Sequence, residues 1–70
     1  MTLSYFRNYF TSEAEFNAFK LSNSSLVNQA NTLYNSLINY GHSEFVAKQV
    51  VAQELYDSFS MSYRNFKNNK

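Results

Sequence analysis

The fold is decided by residues 24–59, which read SSLVNQANTLYNSLINYGHSEFVAKQVVAQELYDSF around the only glycine of the chain, Gly41. On the N-terminal side of this glycine, apolar side chains recur every three or four residues, at Leu26, Ala30, Leu33, Leu37 and Tyr40. That period places them on one side of an α-helix and leaves the other side polar. A second apolar-periodic segment of helical length follows the glycine. We therefore predict an antiparallel helical hairpin, with helices at about residues 24–40 and 43–59.

Polar residues at the ends of these segments predict where the helices begin and end. Gly41 suits the left-handed position that follows the last residue of a helix, and Ser43 is a favourable N-cap for the next helix. Residues 21–25 are rich in serine and asparagine, which cap helices well and compete with helical backbone bonds. We expect a loop there that leads into the hairpin.

The N-terminal segment is dense in aromatic residues. Tyr5 and Tyr9, like Phe6 and Phe10, are four residues apart, and this spacing favours a short helix over a strand. Residues 12–15 read SEAE and match the S-x-x-E capping box, which predicts a second helical start after a bend. Whether residues 2–20 form one bent helix or two is left open by the sequence.

Length and composition limit the size of the domain and indicate which residues form its core. A chain of 70 residues makes one domain and buries only about 60% of the surface that its unfolded form exposes. Without cysteine it has no disulfide, so either the aromatic residues, 19% of the chain, or self-association must reinforce the fold, and we expect the aromatic residues to form the core. We predict a single all-α domain over residues 1–70, a small bundle of three to five helices with a frayed tail at about residues 68–70.

Charge and hydropathy limit the cellular environments and the partners that we expect for this chain. Six basic and five acidic residues give a formal charge of +1, too weak a field to attract a polyanion over distance. No apolar run approaches the roughly 18 residues of a membrane span, and the N-terminus lacks the features of a signal peptide. We therefore expect a soluble cytoplasmic protein without a membrane span.

The second hairpin helix has apolar residues on two sides. One side carries Phe45, Ala52, Leu55, Tyr56 and Phe59. Val46 and Val50 project from nearly the opposite side, beside the polar Gln53 and Asp57. Two interpretations follow. The helix is central in the bundle and the aromatic N-terminal segment covers its second side, or these four residues form an interface with a second copy or a partner protein.

No residue set indicates catalysis, a cofactor or a metal. Lys48 follows Glu44 by four residues, which predicts an exposed ion pair rather than a buried nucleophilic lysine. His42 is the only histidine and no cysteine is present, so one chain cannot assemble a typical zinc site. The first hairpin helix carries a ridge of side-chain amides, which is either a solvated face or a neutral surface that binds a partner. The ridge consists of Asn28, Asn31, Asn35 and Asn39. We expect no enzyme.

The C-terminal segment offers a different class of function. Its cations and aromatic rings have the composition of a nucleic-acid contact, in which cations neutralise phosphates and rings stack on bases. An ordinary helix end with cations near its carbonyl groups has the same composition. The residues that would make such a contact are Tyr63, Arg64, Phe66, Lys67 and Lys70.

Three stretches carry a family resemblance: residues 3–7 (LSYFR); residues 31–34 (NTLY) with Gly41, Ala47, Ala52 and Leu55; and residues 59–63 (FSMSY). With these residues the chain resembles a family of short uncharacterised helical proteins common on conjugative mobile elements. The resemblance implies a small helical accessory or interaction protein and carries no activity.

These observations lead to one main functional prediction and one alternative. The main prediction is a non-enzymatic interaction module that acts through self-association or a protein partner, with Val46, Val50, Gln53 and Asp57 as its contact face. The alternative is a nucleic-acid-binding accessory protein that uses the basic and aromatic C-terminus. Weak association of the aromatic N-terminus with a membrane surface is a third possibility.

Overall fold

The structure is a computed structural model that describes residues 3–68. Over that range it contains helices and no strand, which confirms the predicted all-α class and small helical bundle. A 3₁₀ helix, Ser4–Tyr9, precedes four α-helices: α1 (Glu13–Ser22), α2 (Ser24–Tyr40), α3 (Glu44–Glu54) and α4 (Tyr56–Asn68). None of these helices is long and apolar enough to cross a membrane. Asn68 closes α4, and the rest of the predicted frayed tail, residues 69–70, lies outside the described residues.

The capping box predicted at residues 12–15 forms with one change of partner. The side-chain oxygen of Ser12 accepts from the N–H of Glu15 at 3.1 Å, so α1 begins where the sequence predicts. The carboxylate of Glu15 accepts from the N–H of Thr11 at 3.0 Å and from its hydroxyl at 3.3 Å. Two separate helices therefore occupy the N-terminal segment, joined at residues 10–12.

The turn of the hairpin satisfies the last carbonyl groups of α2 through two backbone bonds. Gly41 has φ +113°, and its N–H donates to the carbonyl of Ile38 at 3.1 Å. The N–H of His42 donates to the carbonyl of Leu37 at 3.0 Å, which completes a Schellman motif. Ser43 then accepts from the N–H of Val46 at 3.2 Å and caps α3. Both predicted helix ends are confirmed.

The loop expected at residues 21–25 is a single turn residue, Asn23. α1 continues to the residue before it and α2 begins at the residue after it. The side-chain amide of Asn23 donates to the carbonyl of Phe19 at 2.9 Å. It therefore satisfies the end of α1 instead of capping α2.

The second hairpin helix is interrupted at Leu55, which corrects the prediction of one continuous helix over residues 43–59. α3 ends one residue before Leu55 and α4 begins one residue after it. This turn allows Phe59 to stack on Phe6, with ring centroids 4.0 Å apart and planes 7° from parallel. Because the sequence has no glycine or proline near Leu55, we infer that tertiary packing causes the break.

The core is aromatic and involves the 3₁₀ helix, α1 and α4. The ring of Phe10 lies at its centre, between 5.1 and 6.3 Å from the ring centroids of five others: Phe16, Phe19, Phe59, Tyr63 and Phe66. Leu26 and Ala30 of α2 and Val51 of α3 are buried against this cluster. The expectation that aromatic residues form the core is confirmed for these rings.

The 3₁₀ helix is held in place by side chains that face the bundle. With three residues per turn, Leu3 and Phe6 align, and both are buried. Leu3 has a φ of +64°, a conformation that costs a bulky residue roughly 1–2 kcal/mol. Burial of its side chain offsets this cost. Tyr5 and Tyr9 of the same helix stay partly exposed, although the ring of Tyr9 packs edge-on against Phe59 with centroids 5.2 Å apart.

The buried side of α3 differs from the predicted one. Ala47 and Val51 are fully buried, whereas Phe45 is 63% exposed. α3 contacts both α2 and the 3₁₀ helix, as the interpretation with a central helix expects. The small side chain of Ala47 allows close approach of a neighbouring helix. Because the same side chain is only weakly apolar, hydropathy alone did not identify Ala47 as a core residue.

Candidate interaction surfaces

The closed end of the hairpin exposes apolar side chains. We call this surface the hairpin tip and define it by Ile38 and Tyr40 of α2 and by Phe45 and Val46 of α3. Tyr40 is 86% exposed, and the other three are at least one-third exposed. Within residues 3–68, Ser4 and Tyr5 of the 3₁₀ helix lie beside Phe45 and leave it 63% exposed.

Charge is balanced at the hairpin tip. Its ionised side chains, Glu44 and Lys48, pair with each other at 3.5 Å across one helical turn. This confirms the predicted exposed pair and leaves Lys48 without the burial that a nucleophilic lysine would need. His42 is exposed and stacks on Tyr40, with ring centroids 5.9 Å apart. The tip therefore presents apolar and neutral polar groups with no net formal charge.

The four residues of the predicted interface do not form a uniformly exposed face. Val46 belongs to the hairpin tip, and Val50, one turn further along α3, is half-buried. Gln53 and Asp57 are exposed, on α3 and α4 respectively, with the turn at Leu55 between them. The interface remains a prediction, and its apolar part is centred on Val46.

A second surface lies where the 3₁₀ helix meets α3 and α4. We call it the tyrosine groove. Three tyrosines of this groove are each between 38% and 48% exposed: Tyr5, Tyr9 and Tyr56. Phe6 and Ala52 also line it, and Gln53 contributes an amide. Aromatic rings that are partly exposed beside a buried floor are enriched at protein interfaces.

One end of the tyrosine groove is basic. A second pocket, between α4 and the 3₁₀ helix, adjoins the groove at Tyr9 and Tyr56, and its charged lining residues within the range 3–68 are Arg64 and Lys67. Lys67 is paired with Glu15 at 2.8 Å, and this hydrogen bond raises the pKa of Lys67 above its ordinary value of 10.5. Arg64 is exposed and forms no ion pair with any residue in the range 3–68.

The predicted nucleic-acid residues divide into two groups. Tyr63 and Phe66 pack on the core, and the hydroxyl of Tyr63 donates to the carbonyl of Tyr9 at 2.9 Å. Arg64 and Lys67 lie at the basic end of the groove. Lys70 lies outside the described residues. Phe66 is thus used in folding, and the nucleic-acid function remains a prediction.

The other cations are engaged elsewhere on the surface. Arg7 pairs with Glu13 at 3.2 Å. The ammonium of Lys20 lies over the ring of Phe16, 4.5 Å from its centroid. Neither residue lines the basic end of the tyrosine groove. Arg7 and Lys20 therefore do not form one cationic surface with Arg64 and Lys67.

The structure adds no feature of a catalytic or metal site within residues 3–68. No three histidine or acidic side chains cluster there in a way that could hold a metal, and no polar residue of that range is buried. In the amide ridge, Asn28, Asn35 and Asn39 are exposed and Asn31 is half-buried. The ridge thus remains available to solvent.

The order of tyrosine and phenylalanine in the N-terminal segment indicates the tyrosine groove, whereas the aromatic composition alone does not. In the N-terminal segment, each tyrosine is followed directly by another aromatic position: Tyr5 by Phe6 and Tyr9 by Phe10. Phenylalanine, which has no polar group, lies in the core, and tyrosine keeps its hydroxyl at the surface. Treating all aromatic residues as core therefore missed the groove.

Comparison with protein-family models, with curated proteins and with solved structures found no match in any of the three. The resemblance to helical proteins of conjugative elements stays a prediction. The functional inference consequently rests on the surfaces of this chain: an apolar hairpin tip and an aromatic groove with a basic end.

Proposed function

We propose that this protein is a non-enzymatic helical interaction module and that the hairpin tip binds a second copy of the chain. The observation that carries this proposal is the exposure of Tyr40, Phe45 and Val46 together around one turn. Contiguous apolar surface with a polar surround is typical of protein interfaces. Catalysis has no part in the proposal, and a cytoplasmic location stays a prediction.

Charge favours a second copy as the occupant of the hairpin tip. Glu44 and Lys48 neutralise each other, so two tips can approach without repulsion between like charges. The tip has no excess charge that would select a strongly acidic or basic partner. Asn35 and Asn39 on the adjoining part of α2 supply neutral hydrogen-bonding groups, which cost less to desolvate than charges.

Stability gives a second reason for self-association. A chain of 70 residues buries a small core, and association is a common way in which short chains bury additional apolar area. In a symmetric pair each tip would cover the other, so Tyr40 and Phe45 would lose exposed area in both copies. The predicted contacts of Val46 and its neighbour Val50 would extend this interface along α3.

The test is the solution mass measured by light scattering over a concentration series. We expect the natural chain to form a dimer, and we expect Tyr40→Glu combined with Val46→Glu to give a folded monomer, because both side chains are exposed. Met61→Glu, at an exposed position of α4, is the matched control and should leave the dimer intact.

A natural chain that stays monomeric at every concentration would reject self-association and would leave another protein as the occupant of the tip. Circular dichroism of each variant separates loss of association from loss of folding. If Met61→Glu dissociated the dimer as effectively as the tip variant, the interface would not be at the tip.

A further inference from the structure

The tyrosine groove adjoins the hairpin tip, since Tyr5 lines both the groove and the surface beside Phe45, and it allows an inference beyond self-association. Its central part is lined by three partly exposed rings over a floor formed by Phe6 and Ala52. Among the lining residues that the structure describes, Gln53 alone has a side-chain amide and none is ionised. This part of the groove therefore suits apolar side chains of a ligand.

The charge distribution along the groove determines the orientation in which a ligand would bind. Beyond Tyr9 and Tyr56, the ionised lining residues among residues 3–68 are Arg64 and Lys67, and none of the lining residues in that range carries a carboxylate. Glu15 compensates the charge of Lys67, whereas Arg64 has no ion-pair partner among residues 3–68. A carboxylate of a ligand at this end would form a charge-assisted hydrogen bond with the guanidinium.

We propose that the tyrosine groove binds a short segment of a partner protein, with apolar side chains between the tyrosines and acidic side chains against Arg64. Tyrosine rings supply large contact area at low entropic cost because each has only two side-chain torsions. Arg64 supplies the electrostatic complementarity that orients the segment.

Single-stranded nucleic acid fits this groove less well than an acidic peptide. A strand places a phosphate at every nucleotide and needs cations along its whole path. In the tyrosine groove the cations lie at one end, and one of them, Lys67, is already paired with Glu15. The formal charge of +1 also gives little attraction for a polyanion.

A library of random short peptides displayed on phage tests the proposal without a known partner. The natural protein is the bait, and the double variant Tyr56→Ser/Arg64→Gln is used for counter-selection. We expect enriched peptides that combine aromatic or aliphatic residues with aspartate or glutamate. The enriched peptide is then synthesised with a tryptophan label, because the protein has no tryptophan and the label can be excited selectively over the six tyrosines.

The affinity of that peptide should fall by about tenfold or more in the double variant, which removes one groove wall and the guanidinium that contacts the acidic side chain. Arg64→Lys should restore part of the affinity for the acidic peptide. Tyr40→Ser, a tyrosine change at the hairpin tip, is the matched control and should leave peptide binding unchanged. Circular dichroism confirms that each variant is folded.

Several outcomes would overturn the proposal. These are the absence of enriched peptides, enrichment without acidic residues, and equal binding by the double variant. Stronger competition by oligothymidylate than by the acidic peptide would assign the groove to nucleic acid. A double variant that loses self-association would assign it to a second copy. Because Tyr40→Ser probes the tip alone, failure of one proposal can be distinguished from failure of the other.

Discussion

Phe19 and Phe59 are fully enclosed in the aromatic core, whereas Phe45 and Tyr40 at the hairpin tip are mostly in solvent. The two regions use the same residue types with opposite results. In the core, rings from the 3₁₀ helix, α1 and α4 enclose one another. At the tip, α2 packs against α3, and Ser4 and Tyr5 of the 3₁₀ helix lie beside Phe45 without enclosing its ring. Aromatic residues therefore stabilise the fold in one region and remain available for contacts in the other.

The difference comes from the long-range order of the helices. The 3₁₀ helix and α1 bring Phe6, Phe10 and Phe19 together, and the turn at Leu55 directs Phe59 onto them. The hairpin turn at Gly41 extends beyond this cluster. An apolar side chain close to the turn therefore has few partners, whatever its own hydrophobicity.

The largest expected contrast is between one substitution made in the two regions. Phe19→Ala should lower the free energy of unfolding by about 3–5 kcal/mol, because it removes a fully buried ring and leaves a cavity. That is comparable with the whole stability of a chain this short, about 3–10 kcal/mol. Phe45→Ala should change it by less than about 0.5 kcal/mol in the monomer. Urea denaturation measures both.

Equal losses for the two alanine variants would contradict the contrast between core and tip. Measurement at a concentration where the chain is monomeric excludes any contribution from association. Phe19→Leu is the control for the core position, since it keeps most of the apolar volume and should lose much less stability than Phe19→Ala.

The hairpin turn should respond to backbone strain rather than to packing. Gly41→Ala should cost about 1–2 kcal/mol, because a Cβ is unfavourable at a φ of +113° although no atom lies within 4 Å of its position. Gly41→Asn should cost less, since asparagine tolerates positive φ better than alanine. Thermal unfolding of both variants provides the comparison, and an Ala variant as stable as the natural chain would contradict the Schellman turn.

Loss of the N-cap of α1 should lower the stability of the chain by a smaller amount. Ser12→Ala removes the acceptor for the N–H of Glu15 and should cost about 1 kcal/mol. Ser12→Thr keeps a hydroxyl at the cap and should retain most of the stability. Melting temperatures of the pair measure the difference. A loss for threonine as large as that for alanine would show that the hydroxyl is not the source of the effect.

The ion pair between Lys67 and Glu15 gives the smallest expected effect and a defined pH dependence. The pair raises the pKa of Lys67 above 10.5, so its stabilisation is complete below that pH and is lost as the pH rises through the higher folded-state pKa. Lys67→Gln should therefore be slightly less stable than the natural chain at pH 7 and equally stable once Lys67 is deprotonated. Melting curves at pH 7 and above the folded-state pKa of Lys67 measure the difference in stability between the two proteins. A difference that persists unchanged at the higher pH would exclude the charge of Lys67 as its cause.

Local chemistry made the helix ends predictable. Ser12, Ser43 and Gly41 each act within a few residues of their own position, so the sequence alone indicates their roles. The turn at Leu55 was missed because its cause lies in packing with Phe6, which is far away in sequence. The same limit applies to Ala47, whose burial depends on which helices approach α3.

The candidate surfaces were predictable only in part. Val46 and Gln53 were identified from their position outside the main apolar side of the second hairpin helix, and both are exposed. Tyr5 and Tyr56 were assigned to the core because hydropathy does not show which ring a neighbouring helix covers. The groove is formed by helices distant in sequence, so no single segment could reveal it.

The most direct test of the account is the backbone-amide NMR spectrum of the natural chain recorded over a series of concentrations. We predict that the resonances that move on dilution are those of residues 38–50, around the hairpin tip, while the amides of Phe19 and Phe59 in the aromatic core stay fixed. A spectrum that is independent of concentration, or shifts centred on α1 and α4, would contradict the assignment of the tip as the surface for self-association.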